Sequence, residues 1–132
     1  MQLVKSALAI VAGLLTIVAT HMGTDQLMHA WGVFPPASQG MHDPALNALA
    51  LAYRSAFTVL GCWLTARLAP SHPRDHALVL GLIGTALASA GAIAARDMNL
   101  GPAWYPLALA VTAFPLAWVG ASLHRSEGRA PD

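Results

Sequence analysis

Residues 5–25, KSALAIVAGLLTIVATHMGTD, run from one formal charge to the next, with 19 uncharged positions between Lys5 and Asp25. A helix rises about 1.5 Å per residue, so this run matches the roughly 30 Å hydrocarbon core of a bilayer. The rest of the chain has the same character. Of its 132 residues 56% are hydrophobic and 10% charged, and the mean hydropathy is +0.55; a soluble domain carries about 25% charged residues. A rival reading makes the first segment a signal peptide, with Lys5 as its basic region and Leu8 to Val18 as its apolar core. No clean small-x-small cleavage site follows it and three more apolar segments do, so it is expected to stay in the mature protein as a first membrane helix.

The chain length allows one domain. Working outward from the first run, Trp31-Gly32-Val33-Phe34-Pro35-Pro36 stops the helix, because consecutive prolines cannot continue it, and its aromatics suit a membrane interface. Asp43-Pro44 opens a second helix, the carboxylate capping orphan amides and proline having no amide to lose. The polar link Ser71-His72-Pro73-Arg74-Asp75-His76 makes the second and third helices an antiparallel hairpin. Arg96-Asp97 ends the third, and Gly101-Pro102 opens a fourth that contains Pro115, where a kink is expected. The expectation is an all-α, integral membrane four-helix bundle with helices over about 4–30, 44–67, 74–96 and 101–124. Gly84, Ala88, Gly91 and Ala95 form one small-residue stripe on the third helix, which reads as a helix contact.

Basic residues give the orientation. With the N-terminus inside, Lys5, Arg67, Arg74, Arg125 and Arg129 fall on the cytoplasmic side and Arg96 alone outside, so N-in/C-in in a bacterial-type inner membrane is expected. The seven Lys and Arg are scattered singly and the net charge is +1, which gives no case for nucleic acid. Expected partners are the lipid bilayer and a homo-oligomer or membrane-protein partner. Cys62 is the lone cysteine, so no disulfide forms within the chain, and in its apolar run it reads as a small buried hydrophobe.

Four features bear on chemistry. His21, Asp25 and His29 recur every four residues and share a helix face. His21 and His29 are about 12 Å apart along the axis, so one ion could use only one i, i+4 pair and would need ligands from elsewhere, His42 and Asp43 being the candidates. His21, Asp25, His29 and His42 are thus metal candidates, yet no HExxH or cysteine pattern supports them, and no cofactor is expected. Arg54 lies 13 positions before Arg67, roughly 20 Å from the inner boundary, inside the outer half of the bilayer. A central arginine costs about 2.5 to 3.5 kcal/mol on insertion scales and usually has a partner or a wet cavity. It can snorkel to the headgroups, pair with Asp25 with His21 and Tyr53 alongside, or serve a substrate or ion site. The expected polar cluster is His21, Asp25 and Arg54. Trp63 and Trp118 suit the inner interface, and Trp31, Trp104 and Tyr105 the outer one. His72 and His76 flank a turn and carry no assigned role.

The strings Thr24-Asp25, His29, Gly32-Val33-Phe34-Pro35-Pro36 and Ala52-Tyr53-Arg54 resemble a group of uncharacterised small bacterial membrane proteins with four predicted helices. That group has no assigned activity, so the resemblance implies the architecture and carries over no functional residue. Three functions follow as expectations: a non-enzymatic accessory or oligomeric membrane component, a small-solute or proton carrier using Arg54 and Asp25, and a metal-dependent membrane enzyme. No nucleophile with a base and no phosphate-binding glycine loop narrows them.

Overall fold

Each helix boundary has a local cause. The first helix, α1 (Gln2–Ala30), ends where Val33 N–H donates to Met28 O and Gly32 N–H to His29 O, a Schellman pattern that needs a left-handed residue and finds it in Gly32 at φ 73°. Asp43 Oδ1 accepts from Ala45 N–H at 2.8 Å and Pro44 supplies the first position of α2 (Pro44–Leu68). Pro73 does the same for α3 (Pro73–Ala95), preceded by His72 at a left-handed φ of 41°. The fourth helix, α4 (Trp104–Glu127), begins three residues later than the sequence suggested, because Gly101 and Pro102 stay in a packed loop. It runs through Pro115 as one helix.

The computed structural model describes residues 1–127; Arg129, counted above for orientation, lies outside them. Among the described residues there is no strand, and apart from a short 3-10 turn at Ala37–Gln39 the elements are these four helices, each long and apolar enough to cross a membrane. Large apolar side chains such as Leu8, Leu15, Leu107 and Val111 point outward along the bundle, where a bilayer presents acyl chains. The protein is therefore all-helical, with four candidate membrane spans.

Helix α2 packs broadly against α1 on one side and α4 on the other, and α3 packs chiefly on α4, so the order around the bundle is α1, α2, α4, α3. The remaining seam, between α1 and α3, is thin. Glycines set the close approaches. A Cβ on Gly13 would lie 2.6 Å from Gly61 O and 2.7 Å from Leu80 Cδ2, and one on Gly120 would lie 2.7 Å from Val59 O. A Cβ on Gly81 would lie 2.5 Å from Ala117 Cβ. Between α1 and α2 the buried Thr65 hydroxyl donates to Ala9 O at 2.9 Å. Cys62, Ala66, Ala77, Leu80, Ala117 and Ala121 complete this core. These contacts all lie towards the end of the bundle that holds the chain's first residues and the α2–α3 turn, termed the closed end; the other is the polar end.

Towards the polar end the packing changes. The small-residue stripe of α3 is not the close helix contact that its spacing suggested. A Cβ on Gly84 would reach Ala113 at an ordinary 3.8 Å, and one on Gly91 would meet nothing within 4 Å. The stripe instead faces space between the helices. Close approach is made one turn earlier by Gly81, where Ala117 stands opposite.

Candidate functional site

Asp25 lies one turn before the end of α1, at the depth where α2 carries Tyr53 and Arg54. Tyr53 Oη donates to Asp25 Oδ1 and Arg54 Nη2 donates to Asp25 Oδ2, so the carboxylate is engaged on both oxygens. The two charged side chains remain about a quarter exposed, 24% for Arg54 and 25% for Asp25. One turn back on α1, His21 Nε2 lies 3.1 Å from Arg54 O. A carbonyl only accepts, so this ring nitrogen carries a proton. Thr58 Oγ1 donates to the same carbonyl at 2.8 Å. Arg54 Nε is buried without a hydrogen-bond partner, and the guanidinium carbon lies 6.0 Å from the centre of the Tyr105 ring.

Aromatic rings fence this cluster. The Schellman turn folds Phe34 back until it is 6% exposed, stacked on Tyr53 at 6.5 Å, while His29 meets its edge at 5.6 Å. Phe57 lies between Tyr53 and His21, at 6.3 and 6.4 Å. His29 thus belongs to the wall around the ion pair, and His42 is exposed on the first loop. Among the described residues no group of three His, Cys, Asp or Glu side chains gathers where a metal could bind. His76 Nδ1 sits 3.0 Å from His72 O at the far turn, where it caps local backbone.

The loops at the polar end are clasped. Met41 N–H donates to Leu100 O at 2.6 Å, joining the α1–α2 loop to the α3–α4 loop. Glycine is required on both sides: a Cβ on Gly40 would lie 2.8 Å from Leu100 O, and Gly40 also has φ +70°. A Cβ on Gly101 would lie 2.4 Å from Met41 O. Asn47, only 2% exposed, steadies the clasp by donating from Nδ2 to Met41 O and to Asp43 O, each at 2.9 Å.

Between clasp and closed end lies a cavity of about 920 Å³. Met41, Asn47 and Leu100 roof it, Leu14, Cys62 and Leu80 floor it, and Arg54 and Tyr105 stand on its wall. Its size is that of pockets that hold drug-sized molecules, roughly 300 to 1,000 Å³.

Of the residues singled out in the sequence, the fold brings His21, Asp25 and Arg54 together with Tyr53, and leaves His42 apart. Tyr105, expected in the outer interface belt, has its ring centre 6.0 Å from the guanidinium carbon. Asn47 has a signal in the sequence: a lone amide one turn into an apolar helix has to find partners. Single glycines inside helical runs, Gly13 and Gly61, likewise mark close packing. The cavity had no signal in the sequence, since it arises from how four helices splay. Compared with protein-family models, with curated proteins and with solved structures, the chain matches none.

Proposed function

We propose that this chain is a small-solute carrier of a bacterial-type inner membrane, N-in and C-in, with the polar end outward and Arg54 and Asp25 as the polar waypoint. One observation carries the reading: a cavity of about 920 Å³, floored by close-packed helices, has Arg54 on its wall. Charged residues at that depth are costly and mark solute or ion pathways, and the neighbouring Asp25 lowers the cost by pairing. A cavity roofed at one end and floored at the other lies within the bundle, at the depth where carriers hold their solute near the membrane midplane.

The test is uptake into proteoliposomes, with protons and a panel of labelled small organic solutes. Arg54→Ala is expected to abolish uptake while the helix content by circular dichroism is kept. Unchanged uptake in that variant contradicts the reading. A second reading, an accessory component that receives a partner helix, is favoured by the stripe of α3, whose Gly91 stands in open space. It predicts that a partner co-purifies from native membranes, and that Gly91→Phe releases it.

A further inference from the structure

The cavity is bounded at both ends but not all round. The Met41–Leu100 clasp forms its roof, and the glycine contacts of Gly13, Gly61 and Gly81 lie at and below its floor. Three of its four vertical seams, α1–α2, α2–α4 and α4–α3, are broad contacts. The fourth is not. Helices α1 and α3 approach at Gly13 and Leu80, on the floor, and above that level both line the cavity, α1 through Ile17 and Val18 and α3 through Leu87 and Gly91. In a bilayer this seam faces acyl chains, which gives a lipid-soluble molecule a sideways path into the cavity.

The charges on the wall select a head group. Three lining residues carry a formal charge: Arg54, Arg96 and Asp97. Arg96 and Asp97 approach to 3.8 Å and cancel at the exposed rim. Arg54 lines the cavity within the bundle, and its partner Asp25 is not among the lining residues. Nη2 donates to Asp25 and Nε is buried, which leaves Nη1 N–H groups of the kind that suit a second carboxylate. The floor below is apolar, with Leu14, Leu80 and Leu116.

We infer that the cavity takes a single-chain amphiphile with a carboxylate head, a fatty-acid-like molecule that enters sideways between α1 and α3. The head group rests on Arg54, and the chain lies over the apolar floor and along the small-residue wall of α3. The stripe of Gly84, Ala88 and Gly91 then has a reason to be small: it leaves room for the chain. This inference rests on the carrier reading and names its substrate class.

The experiment is equilibrium binding of radiolabelled oleate to the full chain in phosphatidylcholine nanodiscs. Saturable binding of one oleate per chain is expected. It should weaken at least tenfold in Arg54→Gln, and to a similar degree in Gly91→Phe, which fills the cavity and leaves the Asp25–Arg54 pair in place. Methyl oleate, with the same chain and no charge, should compete at least tenfold less well than oleate. Equal competition by methyl oleate overturns the head-group assignment, and equal competition by butyrate overturns entry from the bilayer. Binding unaffected by Gly91→Phe overturns the cavity as the site, as does a stable dimer that covers the α1–α3 seam in the nanodisc. Failure of oleate to bind while Arg54-dependent uptake of another solute persists overturns this inference alone; absence of both removes the carrier reading with it.

Discussion

The two ends of this bundle are built from the same residue types to opposite effect. At the closed end Gly13, Gly61, Gly81 and Gly120 meet backbone or methyl groups so closely that no Cβ fits. Towards the polar end Gly84 and Gly91, equally small and equally regular in spacing, face space. The difference lies in how near the opposing helix stands: at the closed end Gly13 meets Thr65 and Gly61, Gly81 meets Ala117, and Gly120 meets the backbone of Val59 and Trp63, whereas Ala113 stands an ordinary contact away from Gly84. Towards the polar end α1 has diverged from α3, and the ion pair and aromatic rings take up the room between α1 and α2. Small residues permit close packing; the opposing surface decides whether it occurs.

Substitution at matched glycines is the harshest way to break this comparison. Adding a side chain at Gly13 drives it into Thr65 and Gly61, and Gly13→Leu is expected to cost more than about 4 kcal/mol, leaving no monodisperse protein in detergent. Gly91→Ala should stay within about 0.5 kcal/mol of the parent by thermal unfolding. Similar losses at both sites would erase the distinction.

Asp25→Ala comes next. It strands a guanidinium that is three-quarters covered, at a cost of about 3 kcal/mol. Arg54→Leu in the same chain should restore at least half of that loss, because the unpaired charge is what destabilises. A double variant no more stable than Asp25→Ala contradicts a coupled pair.

A smaller effect belongs to the clasp. Asn47→Ala leaves Met41 O and Asp43 O without their amide partner and is expected to cost about 2 kcal/mol. Hydrogen exchange should show faster loss of protection at Met41 N–H and little change at Thr65. Uniform protection across the chain would mean that the clasp does not roof the cavity.

Thr65→Val should be mildest, at about 0.6 kcal/mol, the average worth of a hydrogen bond between membrane helices. Its value lies in the contrast with Gly13: the closed end is held by close packing, with the Thr65 to Ala9 bond as a supplement. A loss several times larger would move the weight from packing to that bond.

The helices were legible because runs long and apolar enough to cross a bilayer stand out in composition. Charge-free runs of about 19 residues and the Asp43-Pro44 start marked the spans to within a few residues, and the late start of α4 comes from Gly101 being needed in the clasp. The polar cluster was partly legible: an arginine at the depth of Arg54 needs a partner, and Asp25 stood at the right height. What stayed hidden depends on helix splay. Spacing alone cannot tell the stripe of α3 from a helix contact, nor announce that Tyr105 turns inward to Arg54, because both depend on the neighbour across the gap. Phe34 was hidden for a different reason, since only the Schellman turn folds it back onto Tyr53.

The central claim is that α1 and α3 touch at the cavity floor and part above it. Disulfide cross-linking in a Cys62→Ala background tests it, with Leu14→Cys/Leu80→Cys at the floor and Val18→Cys/Leu87→Cys one and two turns nearer the polar end, all four positions lining the cavity. In nanodiscs the floor pair should cross-link rapidly and to completion, and the upper pair at least ten times more slowly. Equally fast cross-linking of both pairs would mean a seam shut along its length, and the account of a cavity open to the bilayer would be wrong.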